Sequence, residues 1–184
     1  MKLKLLLVAT ATFFCFLVVS NVQAQRYESA IEFSPGYAQE GFGFKVSYDY
    51  FHNRTDFLQG SFLASFSNDG IHNGMKVSYS DYLLSFAYFT PMYKTRDNSF
   101  MLFFGGGPSL GYESVNHGES NLLDGSMLTS KSSFLYGLYS GLNAEYYLSD
   151  SFSLFAAIDL YYHFGSQLGN VHFYSGVGIK YFLN

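Results

Sequence analysis

The 184-residue chain has the length of one domain, and its ten Lys and Arg against fourteen Asp and Glu give a formal charge of -4. That balance excludes a basic nucleic-acid footprint. Aromatics at 21%, all Phe and Tyr with no Trp, exclude intrinsic disorder.

The chain opens with an export signal: Lys2 and Lys4 form a positive start, Leu5 to Val19 an apolar stretch, and Val22-Gln23-Ala24 a small-residue site with cleavage between Ala24 and Gln25. Residues 1–24 are assigned to the signal and 25–184 to the mature domain. With Lys2 and Lys4 removed, eight basic residues face fourteen acidic ones, for a mature charge of about -6. Cys15, the single cysteine, leaves with the signal and matches a lipoprotein box poorly, so the mature chain has no disulfide. No mature stretch reaches the roughly 18 to 20 apolar residues of a spanning helix. Membrane residence would therefore require a closed β-barrel.

Alternation at period two dominates the rest, because successive strand side chains point to opposite faces. Strands are expected first at Ala30–Ser34. In the second, Phe42, Phe44, Val46, Tyr48 and Tyr50 oppose Gly43, Lys45, Ser47 and Asp49. Further strands are expected at Phe57–Ser67, at Lys76–Phe89 with a bulge near Ser80-Asp81 where the apolar phase changes, and at Ser99–Tyr112. The last three are clear. Phe134 to Tyr146 sets its apolar residues against Gly137, Gly141, Asn143 and Glu145; Phe152 to Phe164 sets them against Asp159, Tyr161 and His163; and Val171 to Leu183 against His172, Tyr174 and Lys180.

Eight strands of about ten residues match the smallest outer-membrane barrels. The expected fold is all-β: an eight-stranded antiparallel up-and-down transmembrane β-barrel after the signal peptide. With the N-terminus periplasmic, His52–Asp56, Thr90–Asn98 and Leu148–Ser151 are periplasmic turns. Pro35–Glu40, Asn68–Gly74, Glu113–Ser132 and Gly165–Asn170 are then extracellular. A soluble barrel uses the same alternation with its faces exchanged. Glycine and charge sharing one face, with Phe and Tyr on the other, favour the membrane arrangement.

On that arrangement Lys45, Asp49, Glu145, Asp159 and Lys180 point into one lumen, which eight strands leave only wide enough for side chains to fill. Opposite charges there are expected to pair and plug the barrel as a stabilising network, with a small-ion pore as the alternative. His52, His72, His117, His163 and His172 lack ligand spacing and a cysteine partner. His163 and His172 flank one short loop and could approach across its hairpin, but two histidines alone make an incomplete site, so no metal is expected. Gly105-Gly106-Gly107 lacks phosphate-loop spacing and reads as curvature or a bulge. Tyr48, Tyr50, Phe51, Tyr112, Tyr146, Tyr147, Tyr162 and Phe164 suit interfacial girdles. His172 and Ser175 fall on opposite faces of one strand, and His117 with Ser114, Ser120 and Glu119 is what a polar loop holds anyway, so no enzyme activity, cofactor or small-molecule substrate is expected.

The stretch Gly111-Tyr112-Glu113-Ser114-Val115-Asn116-His117-Gly118-Glu119, continuing through Leu123-Asp124-Gly125 and Ser130-Lys131, resembles the TraO family of conjugative transposon proteins from Bacteroides-type bacteria. The likeness runs on through Phe134-Leu135-Tyr136-Gly137, Glu145-Tyr146-Tyr147-Leu148-Ser149-Asp150 and Gly176-Val177-Gly178-Ile179. It covers most of the last 75 residues and, more loosely, the signal and overall length. Its specific part is the loop, in which Glu113, Asn116, His117, Glu119, Asp124 and Lys131 are the candidate extracellular residues. The resemblance implies a Gram-negative outer-membrane component of a mating apparatus, with outer-membrane lipid and other transfer proteins as partners; the acidic balance and an interior filled by side chains leave no direct contact with nucleic acid expected. The alternatives are a general small barrel for adhesion or envelope integrity and a lipid-modifying barrel enzyme.

Overall fold

The structure, a computed structural model, describes residues 28–38, 41–52, 55–72, 75–115, 132–166 and 169–183. The signal with its Ala24-Gln25 junction lies outside the described residues, as do Asn116, His117, Glu119, Asp124 and Lys131. Eight strands follow in chain order: β1 (Ser29–Ala38), β2 (Gly41–Phe51), β3 (Phe57–His72), β4 (Met75–Lys94), β5 (Phe100–Val115), β6 (Ser133–Tyr147), β7 (Phe152–Phe164) and β8 (Val171–Leu183). Each pairs antiparallel with its sequence neighbours, and β1 pairs with β8 to close the barrel in the order expected.

Closure forces a stagger. Phe51 donates its N–H to the Glu28 carbonyl at 3.0 Å. From Phe51 the pairing passes through Phe57, Phe89, Gly105, Gly141, Asp159 and Tyr174 and returns to β1 at Ala38. The circuit gains ten residues, from position 28 to position 38. Strands so staggered tilt against the barrel axis and leave an interior that side chains can fill.

The later strands match their expected bounds, while the front half runs longer than expected. Pro35 lies inside β1 opposite Phe44 rather than in a connector, and β4 continues through Pro91 to Lys94. Proline signals a strand end because it cannot donate to a ladder. Here the missing donors fall at gaps: the β1–β8 ladder passes from Phe33↔Ile179 to Gly36↔Gly176 with no pair at Pro35. Likewise the β4–β5 ladder passes from Ser85↔Ser109 to Tyr88↔Gly106 with none at Pro108.

The bulge expected near Ser80-Asp81 is not there. Register with β3 is continuous from Phe89 to Tyr79, and the shift falls between Ser67 and Gly70 on β3. The apolar phase changes because Tyr79, in phase with Asp81, turns to the inner side at the rim. Gly105-Gly106-Gly107 likewise carries no bulge, since it pairs in unbroken register with Gly141, Ser140 and Tyr139. A Cβ on Gly105 would stand 2.5 Å from the Phe89 ring, so this glycine makes room for an inward aromatic.

Candidate functional site: a sealed lumen inside an apolar belt

Which face points inward decides between a soluble and a membrane barrel, and burial answers it. Glu32, Lys45, Asp49, Glu145, Asp159 and Lys180 are each no more than 1% exposed. Phe33, Phe42, Phe86, Leu138, Val177 and Ile179 are more than half exposed. An outer surface of this kind suits hydrocarbon and not water, the inverse of a soluble barrel. Tyr48, Tyr50, Tyr112, Tyr162 and Phe164 stand on it as expected of girdle residues. Phe51 and Tyr147 instead turn inward and pack against the buried core.

The inward residues form layers. At the end bearing the short turns, Phe51, Phe57, Phe89, Phe103, Tyr147 and Phe182 make an aromatic stopper. Phe57 stacks on Phe89 at 5.0 Å and meets Phe103 edge-on at 5.3 Å, and Tyr147 stacks on Phe182 at 5.6 Å.

Above the stopper Lys180 sits among three carboxylates, with Nζ 2.8 Å from Glu32, 2.9 Å from Asp49 and 3.0 Å from Glu145. Its ammonium also lies 4.6 Å from the centre of the Phe57 ring. Gln59 donates to Glu32 at 3.0 Å and to Asp49 at 2.9 Å, and Ser153 donates to Glu145. Deeper still, Lys45 pairs with Asp159 at 2.5 Å, and the Tyr139 hydroxyl donates to the other oxygen of that carboxylate at 2.8 Å. The five lumen residues read from the sequence therefore lie in one buried polar column. Glu32, Gln59 and Tyr139 belong to it as well. Glu32 shares the polar phase of β1, but the few residues that the sequence marks as that strand are too short a run to reveal its face.

Large rings complete the seal above the charges. Tyr174 donates to the Ser34 carbonyl at 2.7 Å, and Tyr139 and Tyr161 lie 4.9 Å apart. Glycines two residues further along the same strands leave the space: a Cβ on Gly141 would collide with the Tyr139 hydroxyl, and one on Gly176 with that of Tyr174. Side chains thus fill the lumen from the turn end to this level.

At the long-loop end a second cluster joins Asp81, Glu113, His163 and His172, all at least nine-tenths buried. Glu113, expected in the loop, is instead on β5 opposite Ser133 and faces inward, accepting from Ser166 at 2.8 Å. His163 and His172 do meet, with rings 5.1 Å apart, and His172 Nδ1 lies 3.5 Å from Asp81. Among the described residues no group of three or more His, Cys, Asp or Glu is placed to hold a metal ion. Ser109 and His163 make a pair that the sequence did not reveal, with Oγ and Nε2 2.9 Å apart. The pair is buried, and among the described residues the His163 Nδ1 makes no hydrogen bond.

Comparison with solved structures gives the fold. The attachment invasion locus protein Ail of Yersinia pestis aligns with a TM-score of 0.55 at 16% identity, over 86% of this chain and 99% of that one. Neisserial surface protein A aligns at 0.58 and 14% identity, over 88% and 99%. A major outer membrane protein from Thermus thermophilus aligns at 0.58 and 14%, over 84% and 98%. A search of curated proteins finds no match. The model of the family described as conjugative transposon protein TraO matches residues 21–183, so the likeness first seen over the last 75 residues extends through the front half. An eight-stranded barrel with a filled, charged lumen and a family match over nearly its whole length makes this chain a member of the TraO family of conjugative transposon proteins.

Proposed function

We propose that this protein is an outer-membrane β-barrel of a conjugative transposon's mating apparatus, where it anchors or organises other transfer proteins and performs no catalysis. Membership of the TraO family supports the link to transfer, and the apolar outer belt supports residence in the outer membrane after export by residues 1–24. The observation that carries the role is the filled lumen. A column closed by the aromatic stopper, the Lys180 and Lys45 ion pairs and the Tyr139–Tyr161 layer cannot pass DNA or a folded protein. Its work then falls to the ends and the outer face. Lipid is one partner and other transfer proteins are the rest, with the short turns toward the periplasm and the longer connectors toward the cell exterior.

The test is conjugation frequency in an in-frame deletion, with and without the gene supplied in trans. The expected result is a large loss of transfer, restored by the gene, with growth unchanged. Undiminished transfer accompanied by surface or detergent phenotypes would replace this reading with a general role in adhesion or envelope integrity. Altered membrane lipid that vanished on substitution of Ser109 or His163 would replace it with an enzyme.

A further inference from the structure

Two pairs of basic side chains divide sharply. Lys45 and Lys180 are buried in the lumen. Lys94 and Arg96 are exposed and sit two residues apart at the β4–β5 turn. The strand leading to that turn is irregular: Pro91 pairs with Phe103 and Tyr93 with Leu102, so Met92 is an extra residue on β4. A bulge breaks the in-and-out alternation. In consequence Met92 at 63% and Tyr93 at 57% are both exposed, one directly after the other and immediately before Lys94.

Their level is that of the aromatic rim at the short-turn end, where Tyr93 lies 6.4 Å from Phe100 and Phe152 lies 4.9 Å from Tyr181. A thioether and a phenol at the acyl boundary, followed by two cations just beyond it, suit a lipid interface. The turn's own acid, Asp97, accepts from the Ser99 N–H at 3.3 Å. Hydrogen bonds from the Thr95 and Ser99 side chains hold its carboxyl below the ordinary range. Glu28, Asp56 and Asp150, at the same end, belong to other strand ends and turns.

We propose that the β4–β5 turn is a docking site for anionic phospholipid, with Met92 and Tyr93 seated at the acyl–headgroup boundary and Lys94 and Arg96 on the negatively charged headgroup. The wild-type chain contains no Trp, so Tyr93→Trp places a single emitter at the site. The barrel is folded into bilayers of phosphatidylcholine containing a fixed fraction of either brominated phosphatidylglycerol or brominated phosphatidylcholine, and quenching is compared. The site predicts local enrichment of the anionic lipid by about five-fold, the order expected of a basic side chain at a charged bilayer surface. Lys94→Gln with Arg96→Gln should bring the two lipids level. A control emitter at Phe152→Trp, on the same rim but on β7, should show no preference. Equal quenching at Tyr93→Trp would overturn the proposal, as expected if the turn instead meets an acidic protein. So would an excess that survives loss of both cations, or one of equal size at Phe152→Trp.

Discussion

Lys45 on β2 and Asp159 on β7 stand 114 residues apart in the chain, and their ammonium and carboxylate meet at 2.5 Å in the lumen. Neither strand neighbours the other. The pair therefore bridges the interior and ties together walls that the hydrogen-bonded ladder does not join directly.

Lys180 has the greater burden, since it faces Glu32, Asp49 and Glu145 together. Removing one partner of a buried ion cluster leaves charge that nothing offsets. Lys180→Met should destabilise the folded barrel by roughly 3 to 5 kcal/mol. Urea unfolding in detergent or bilayer, followed by the shift in electrophoretic mobility, measures this. A loss below about 1 kcal/mol would show that Lys180 is not what holds the three carboxylates together.

The glycines of the inner face make a different prediction. A Cβ at Gly105 would press on the Phe89 ring, so Gly105→Val should cost about 1 to 3 kcal/mol by overpacking. Combining it with Phe89→Leu should recover part of that loss. Strictly additive costs in a double-mutant cycle would show that the two residues do not compete for the same space.

Faces are tested on the outside by Val177, which is 67% exposed. Val177→Arg should cost about 2 to 4 kcal/mol if this position meets hydrocarbon near the midplane. Asn121→Arg, in the long connector, should cost little. The reverse ranking would assign the wrong face to lipid.

A filled lumen also predicts silence in electrical recording. Purified barrel in planar bilayers should give no stable conductance steps. Discrete openings whose size or selectivity changes on Lys180→Met would show that the charged column conducts.

Much of the fold is readable from the chain because alternation is a local signal. Lys45, Asp49, Glu145, Asp159 and Lys180 can be placed on one face from periodicity in their own strands, with no knowledge of their partners. The misses share a cause: they depend on what lies across the barrel. Pro35 reads as a strand breaker because its ladder gap is set by the neighbouring strand, and Pro91 because the β4–β5 pairing that continues past it to Lys94 leaves no local signal. Phe51 and Tyr147 read as girdle residues because strand ends look alike on either face. Glu113 reads as a loop residue because Gly111 and the polar stretch after it obscure the alternation, and only its pairing with Ser133 shows that β5 continues. The contact between Ser109 and His163 joins positions 54 residues apart and leaves no trace in spacing.

The central claim is that this barrel serves transfer through its surfaces and not through its lumen. It is tested most directly by complementing the deletion strain with Lys45→Met combined with Asp159→Leu, a swap that removes both charges of a buried pair together and is often tolerated. Folding is checked by heat-modifiable mobility, and conjugation frequency is then measured beside the wild-type gene. The account predicts that the folded double variant restores transfer to the wild-type level. A folded variant that leaves transfer at the deletion level would show that the chemistry of the lumen is itself used, and would contradict the account.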